Sequence, residues 1–204
     1  MYNESMTNEQ FIMKVLAISK IGLKFSRDPY ALENYAELQE LGLQQLSQLT
    51  NESIDENIFD RDLYPTVNVS ARTVVTNEKN QVLMVKEKSE QLWSFPGGWC
   101  DVYESPQENA LKEVLQESGY LIKMNRLLGV FFRDNYKPKH KSLISEYCIY
   151  FHGEIIEKVS EHNHEIVEVG FFDQDNLPPL SFKNSKTEVE RALKALNHNI
   201  TTFD

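Results

Sequence analysis

Cysteine is scarce in this chain, and positive charge is outnumbered by negative charge. The 204 residues include only two cysteines, Cys100 and Cys148, and these form no CxxC pair. A disulfide framework or a thiolate zinc site is therefore not expected. Lys and Arg number 21 against 31 Asp and Glu, which gives a net charge of −10. Because phosphate backbones are held mainly by Lys and Arg, this balance argues against a general nucleic-acid binder.

Long apolar runs are also missing. A membrane-spanning helix needs about 18 or more consecutive apolar residues, and the sequence has no such run. The start, MYNESMTNEQF, lacks the basic flank and apolar stretch of a secretory signal. The sequence therefore predicts a soluble cytoplasmic protein without a membrane partner. Its hydrophobic residues, 41% of the chain, are enough for a packed core.

The first 50 residues have the pattern of a helical hairpin. Apolar residues recur near helical spacing in two runs, and Asp28-Pro29 between them supplies an N-cap followed by proline at the first helical position. Two such helices are too small to bury their apolar faces alone. They either pack on the rest of the chain or form a homodimer interface, and the homodimer is the prediction. The acidic segment 49–62 is interpreted as a linker, so the predicted domains are 1–62 and 63–204.

From residue 66 the apolar period changes from that of a helix to that of a strand. TVNVSARTVV alternates, NEKNQ forms a turn, and VLMVKE follows as a second strand. Further strands are predicted within 127–134, 143–156 and 165–173, and a helix over 185–198. Strands interleaved with helices are typical of an α/β domain.

An acidic helix is predicted after a glycine-rich turn. SPQE at 105–108 has the form of a capping box with proline at the first helical position, and Gly119 supplies the stop. Glu113, Gln116 and Glu117 then share one helix face. Carboxylates four residues apart repel each other weakly, and a divalent cation would convert this repulsion into oxygen coordination. The preceding SFPGGW can present backbone carbonyls to the same face, and Gly98 permits close approach of a ligand. The alternative is a merely solvated acidic face.

Residues 98–120 resemble the Nudix box, GX5EX7REUXEEXGU, where U is aliphatic. Three positions depart from it: Lys112 replaces Arg, Gln116 replaces the first Glu of the pair, and Tyr120 replaces the last aliphatic residue. The resemblance implies a Nudix-type α/β/α sandwich with a mixed sheet, and Mg²⁺ or Mn²⁺ held by Glu113, Glu117, Gln116 and the carbonyl of Gly98 or its neighbour Gly97. The positions that match outright are Gly98, Glu104, Glu113, Val114, Glu117 and Gly119.

The helical hairpin, together with WSFPGGWCDVYESPQENA, is similar to a Nudix subgroup with an N-terminal helical domain. Members of that subgroup include CDP-choline and ADP-ribose pyrophosphatases. The resemblance implies hydrolysis of nucleoside diphosphate-X compounds, with CDP-choline ahead of ADP-ribose. One alternative is RNA processing, which has the basic loop 133–141 in its favour. Another is a catalytically weak ligand-binding or regulatory module, which Gln116 favours because an amide brings no charge to a metal.

Two further residues outside the box are candidates for catalysis and substrate binding. Glu165 is preferred over Glu161 and Glu168 as a base or additional ligand, because it begins a strand after a polar loop; a solvated strand-edge carboxylate is the alternative. Arg72 lies on a polar strand face, and a guanidinium suits a diphosphate by its bidentate geometry. A surface ion pair is the alternative for Arg72.

Aromatic residues flank the glycines, and Trp99 is the candidate for stacking on a nucleobase. Trp93 is possible in the same role, whereas Phe95 is expected in the core. Glu104 is a weaker candidate, either as a metal ligand through water or as a partner of Lys112.

Overall fold

A computed structural model describes residues 7–54, 67–136 and 146–204. The chain divides into two compact units, Met1–Pro65 and Thr66–Asp204. In the described ranges, no helix is both long enough and apolar enough to cross a membrane.

The first unit is the predicted helical hairpin, made of α1 (Asn8–Phe25) and α2 (Pro29–Thr50). The side chain of Asp28 accepts a hydrogen bond from the Tyr30 N–H at 3.2 Å, so Asp28 is the N-cap of α2. Ile12 and Leu16 of α1 pack with Leu46 of α2 in a small separate core. Helix α2 runs to Thr50, so the helix extends two residues into the predicted linker 49–62; residues 55–62 of that linker lie outside the described residues.

The second unit contains a mixed eight-stranded sheet, and its main path runs β3-β2-β1-β6-β5-β8. Strand β4 pairs with β1, and β7 pairs with β2. The pairs β1–β6 and β5–β8 are parallel, whereas the others are antiparallel. The strands are β1 (Asn68–Thr76), β2 (Val82–Glu87), β3 (Trp93–Ser94), β4 (Gly97–Trp99), β5 (Tyr120–Phe132), β6 (Glu146–Lys158), β7 (Ile166–Phe172) and β8 (Thr202–Phe203).

One helix covers each face of the sheet. Helix α3 (Pro106–Ser118) places Val114 in one core with Val75, and helix α4 (Lys186–Asn197) places Val189 in the other core with Val74. Adjacent residues of β1 therefore point to opposite cores, as the two-residue period of a strand requires. The α/β/α sandwich with a mixed sheet predicted from the resemblance is confirmed.

Arg133 was predicted to belong to the basic loop 133–141, but the structure shows it buried. It lies in a short 3₁₀ turn (Arg133–Asn135) after β5 and is buried between Glu146 and Glu188, at 3.0 Å and 2.9 Å. Burial opposes its charge, but these two carboxylates raise the pKa of the Arg133 guanidinium above its usual value. Arg133 thus joins β5, β6 and α4 instead of attracting an anion. Residues 137–141 of the predicted loop lie outside the described residues.

Candidate active site

Helix α3 begins and ends where the sequence predicts. The Ser105 hydroxyl accepts from the Glu108 N–H at 3.2 Å, and the Glu108 carboxylate accepts from the Ser105 N–H at 2.9 Å. Gly119 ends the helix with φ of 77°, a left-handed conformation that favours glycine. These two ends fix which residues of α3 face the glycine-rich turn.

The turn brings bare backbone against the acidic face of α3. Strand β4 pairs with β1 so that Ala71 lies opposite Gly98. A Cβ at Gly98 would lie 2.5 Å from the Glu113 Oε1, so a side chain there would displace the Glu113 carboxylate from this position. The absence of that side chain lets the carboxylate lie directly against the Gly98 backbone.

Glu117 is the most buried carboxylate of this face, with 3% of its surface exposed. Its Oε2 accepts a hydrogen bond from the Gly97 N–H at 2.8 Å. Burial raises the pKa of Glu117 to about 8, although the Arg72 charge and the Gly97 N–H oppose the shift. Burial also raises the pKa of Glu113, one helical turn earlier. Two carboxylates whose ionisation is disfavoured therefore lie on one face beside a backbone turn.

This donor set fits a divalent cation. Across the ranges 7–54, 67–136 and 146–204, no three His, Cys, Asp or Glu side chains form a cluster able to hold a metal. The chain would therefore supply Glu113 and Glu117 as carboxylate ligands, with a glycine carbonyl as a third oxygen. Mg²⁺ suits such a site because it takes oxygen ligands and keeps several of its waters. A bound cation would also compensate the burial of both carboxylates.

The carbonyl of Gly97 is already engaged by Arg72. The Arg72 Nη1 donates to the carbonyl oxygens of Phe95 at 3.0 Å and Gly97 at 2.9 Å. Only 4% of Arg72 is exposed, and its buried Nε has no partner among the described residues. The alternative of a surface ion pair is therefore wrong, whereas diphosphate binding by Arg72 stays a prediction. Arg72 fixes the turn from below and leaves the Gly98 carbonyl as the better candidate ligand.

Gln116 is exposed on α3, immediately before Glu117. Its backbone carbonyl accepts from the Asn163 N–H at 2.7 Å, which ties the end of α3 to the loop between β6 and β7. That loop carries Glu165, an exposed residue whose charge, after burial, helps to raise the pKa of Glu113. Glu161 instead pairs with Lys158 at 3.3 Å, and Glu168 pairs with Lys86 at 3.4 Å. The contacts therefore favour Glu165 among the three predicted candidates.

Trp99 is the exposed aromatic residue beside the turn, with 57% of its surface accessible, whereas Trp93 and Phe95 are buried. Its backbone is held by Asn109, whose Nδ2 donates to the Trp99 carbonyl at 3.0 Å. The Asn109 Oδ1 also accepts from the Asp101 N–H at 3.2 Å. Asn109 was not proposed as a functional residue from the sequence, although its position one helical turn before Glu113, beside the acidic face of α3, was the available signal.

Lys112 occupies the position at which the Nudix box has arginine. Its Nζ lies 2.6 Å from an Asp101 oxygen and 2.5 Å from a Glu104 oxygen. Burial opposes the Lys112 charge, but the hydrogen bonds to Asp101 and Glu104 raise its pKa. Of the two alternatives for Glu104, the structure shows the partner of Lys112.

Comparison with known proteins identifies the second unit. Residues 66–193 match the NUDIX domain family. The chain belongs to the Nudix hydrolases. Residues 9–60 match a second family, described as a UDP-X-like, N-terminal oligomerisation domain. The two matches confirm the predicted resemblance to a Nudix hydrolase with an N-terminal helical domain.

Three relatives illustrate the similarity. The Bacillus subtilis (strain 168) protein named "Putative ADP-ribose pyrophosphatase YjhB" is 35% identical over 198 residues, 94% of each chain. A crystal structure of UDP-X diphosphatase is 27% identical, covers 95% of each chain and has a TM-score of 0.65. An ADP-ribose pyrophosphatase from Streptococcus suis 89-1591 is 30% identical and has a TM-score of 0.59; the match covers 68% of this Nudix hydrolase and 100% of that chain.

Proposed function

We propose that this Nudix hydrolase is a divalent-metal-dependent pyrophosphohydrolase of nucleoside diphosphate-X compounds. The observation that carries the proposal is the pair of carboxylates, Glu113 and Glu117, held against the Gly97–Gly98 backbone. Relatives named as an ADP-ribose pyrophosphatase and a UDP-X diphosphatase support this substrate class. The reaction consumes water and gives a nucleoside monophosphate and a phosphorylated X group.

The mechanism assigns each residue a separate task. When bound, Mg²⁺ or Mn²⁺ would neutralise the charge of the diphosphate. Glu113 and Glu117 would hold the cation, and the Gly97 N–H keeps the Glu117 carboxylate in place. Arg72 fixes the turn through the Phe95 and Gly97 carbonyls. Glu165, exposed and close enough to influence Glu113, accepts the proton of the attacking water.

Trp99 is proposed to stack on the nucleobase, because it is exposed beside the turn and its backbone is fixed by Asn109. Stacking accepts any base, since every base has a π face. Selection between CDP-choline, ADP-ribose and UDP-linked compounds therefore does not follow from Trp99. The preference for CDP-choline implied by the subgroup resemblance stays a prediction.

A homodimer formed through the hairpin is part of the proposal. The match of residues 9–60 to an oligomerisation domain supports it. So do the large apolar side chains that α1 exposes, among them Phe11, Ile18 and Phe25.

The test is hydrolysis by the full chain over a panel of ADP-ribose, CDP-choline, a UDP-sugar and a 5′-triphosphorylated RNA, with Mg²⁺ and with Mn²⁺. We expect nucleoside monophosphate to be released from at least one nucleoside diphosphate-X compound and activity to disappear on chelation. Activity on the RNA alone would move the chain to RNA processing. Tight nucleotide binding without turnover would favour the regulatory module instead.

A further inference from the structure

A pocket lies next to the loop that carries Glu165. Glu165 is the one residue of its lining that has been given a role above. Its volume is about 420 Å³, within the range of small-ligand pockets. It forms where β2 ends, where β7 begins and where the chain approaches α4. Its lining is Glu87, Lys88, Ser89, His164, Glu165 and Lys183.

The pocket adjoins the end of α3 through the loop between β6 and β7. The Asn163 N–H of this loop donates to the Gln116 carbonyl at 2.7 Å, next to Glu117, and Glu165 of the same loop lines the pocket. The Lys88 N–H donates to the Glu165 carbonyl at 2.8 Å, so one wall of the pocket is fixed to this loop. On another wall, the Glu87 Oε1 accepts from the hydroxyl of Ser94, the last residue of β3 before the glycine-rich turn, at 3.3 Å.

Lys183, one of the two lysines that line this pocket, is held by hydrogen bonds at both its backbone and its ammonium group. Its carbonyl accepts from the Arg133 Nη2 at 2.8 Å, and its N–H donates to the Ser181 hydroxyl at 3.0 Å. Its Nζ donates to the Glu87 Oε1 at 2.8 Å. Glu87 is only 3% exposed, whereas the Lys183 side chain is 39% exposed. The ammonium thus lies over a buried carboxylate with its outer side toward the pocket. An ammonium has three donors, so two remain for a ligand.

The Trp99 backbone and the loop that lines the pocket are tied to opposite ends of α3. The Asn109 side chain, near the start of the helix, binds the Trp99 carbonyl, and the Gln116 carbonyl, near its end, accepts from the Asn163 N–H of the loop before Glu165. Seven residues of helix span about 10 Å. Glu113 lies between these two points, and Glu117 directly follows the second.

We propose that the Lys183 pocket binds the phosphate on the X side of the scissile diphosphate and part of the X group, with Lys183 as the phosphate ligand. This inference rests on the proposed function. The substrate's nucleobase lies toward Trp99, the cation lies at the carboxylate pair, and the departing phosphorylated X group occupies the pocket. Lys183 keeps its bond to Glu87 and directs its other donors to the phosphate oxygens.

The competing explanation is that Lys183 only neutralises the buried Glu87 carboxylate. Removing one partner of such a pair leaves an uncompensated charge, so a single substitution cannot separate the two roles. The double variant Glu87→Gln/Lys183→Met can, because it removes both charges together. Lys186→Met is the matched control, since its Lys186 side chain is 84% exposed and loses the same charge three residues away.

The experiment measures KM and kcat of the full chain with ADP-ribose and Mg²⁺. We expect Lys183→Met to raise KM about tenfold or more, from the loss of a charge-assisted phosphate contact, with a smaller change in kcat. The double variant should keep the high KM, Lys183→Arg should recover much of the loss, and Lys186→Met should match the wild type. A double variant with wild-type KM would overturn the proposal.

Product binding by calorimetry provides a readout that does not need turnover. Lys183→Met should weaken ribose 5-phosphate, the X-side product, while leaving AMP binding unchanged. Equal weakening of both, or of AMP alone, would refute the assignment to the X side. If the wild type hydrolyses no compound of the panel, the proposed function fails by itself, and the product measurement still decides what the Lys183 pocket binds.

Discussion

Glu117 shows what burial does to a carboxylate that we propose as a metal ligand. Its pKa is raised to about 8, from an ordinary value of 4.5, chiefly by burial. A raised folded-state pKa means that the contribution of Glu117 to stability is fully present below pH 4.5 and is lost as the pH rises toward 8. Glu117→Gln should therefore raise the melting temperature of the metal-free protein at pH 8 and have little effect at pH 4.5.

Calorimetry with chelator and then with Mg²⁺ checks this expectation. Mg²⁺ should raise the melting temperature of the wild type at pH 8 more than that of Glu117→Gln, because the cation stabilises only a state that binds it. A metal-free variant that melts below the wild type at pH 8 would contradict the assigned cause of the shift.

We expect turnover to depend on the same two carboxylates, Glu113 and Glu117. Glu113→Gln and Glu117→Gln should each lower kcat at least about a hundredfold, because each removes a ligand charge from the proposed metal site. Steady-state hydrolysis with saturating Mg²⁺ measures the loss. Glu161→Gln is the control, since Glu161 is exposed and pairs only weakly with Lys158 at 3.3 Å. Near-normal turnover in both carboxylate variants would refute the site.

Gln116 is the position at which the chain lacks a carboxylate of the Nudix box. It is exposed and directly precedes Glu117 on α3. If the site gains affinity from a further charge there, Gln116→Glu should lower the Mg²⁺ concentration that gives half-maximal rate. A titration of rate against Mg²⁺ decides it, and an unchanged or higher midpoint would place residue 116 outside the coordination shell.

The two arginines show where residue-level prediction stops. Arg72 and Arg133 are both buried, although the sequence pattern indicated a substrate ligand and a loop cation. Their partners are distant in sequence: Arg72 binds the carbonyl of Phe95, and Arg133 binds Glu146 and Glu188. Burial of a charge depends on such partners, and no local period reveals them. The position of Glu113 and Glu117 on one face of α3 was predictable because their spacing lies within one helix, and their role as metal ligands stays a proposal.

At the scale of elements, the turn between β3 and β4 is held from several directions. The Phe95 N–H donates to the Asn184 Oδ1 at 2.8 Å, and the Asn184 Nδ2 donates to the Tyr150 hydroxyl at 2.7 Å. Arg72 holds the carbonyls of the same turn. The segment before α4 therefore helps to position the backbone next to the proposed metal site.

Asn184→Ala tests this support. Leaving the buried Phe95 N–H and Tyr150 hydroxyl without their partner should cost about 1–3 kcal/mol of unfolding free energy. It should also raise the Mg²⁺ concentration needed for half-maximal rate, because the turn loses one of its anchors. Denaturant unfolding and a metal titration measure the two effects. Asn176→Ala, at an exposed asparagine of the preceding segment, should change neither. An unchanged metal midpoint would leave Asn184 with a purely structural role.

Element prediction succeeded where a signal was local. Asp28, Ser105 and Gly119 marked helix ends by their own chemistry, and β2 was predicted from its run of apolar residues after a turn. The short strands β3, β4 and β8 were not predicted, because two or three residues are too few to show a period. They form only because a neighbouring strand is available, as when β4 pairs with β1.

At the scale of the whole molecule, the hairpin has a small core and a large apolar surface. Ile12, Leu16 and Leu46 are its buried members. On α1, Phe11, Ile18 and Phe25 recur every seven residues and are 60%, 48% and 70% exposed. A seven-residue apolar repeat is the pattern by which helices pack along one another. The repeat therefore indicates a helix-packing surface, and it lies in the segment that matches an oligomerisation domain.

We expect the chain to form a homodimer through this surface, and we expect the substitution Ile18→Glu to dissociate that dimer. A carboxylate in the middle of the apolar repeat would have to be buried without a partner, which disfavours association. Light scattering on the full chain at micromolar concentration should give twice the monomer mass for the wild type and the monomer mass for Ile18→Glu. Gln44→Glu adds the same charge to an exposed polar position of α2 and should remain dimeric. Circular dichroism establishes that both variants keep their helices. A monomeric wild type would refute the dimer, whereas a dimeric Ile18→Glu variant would move the interface away from α1.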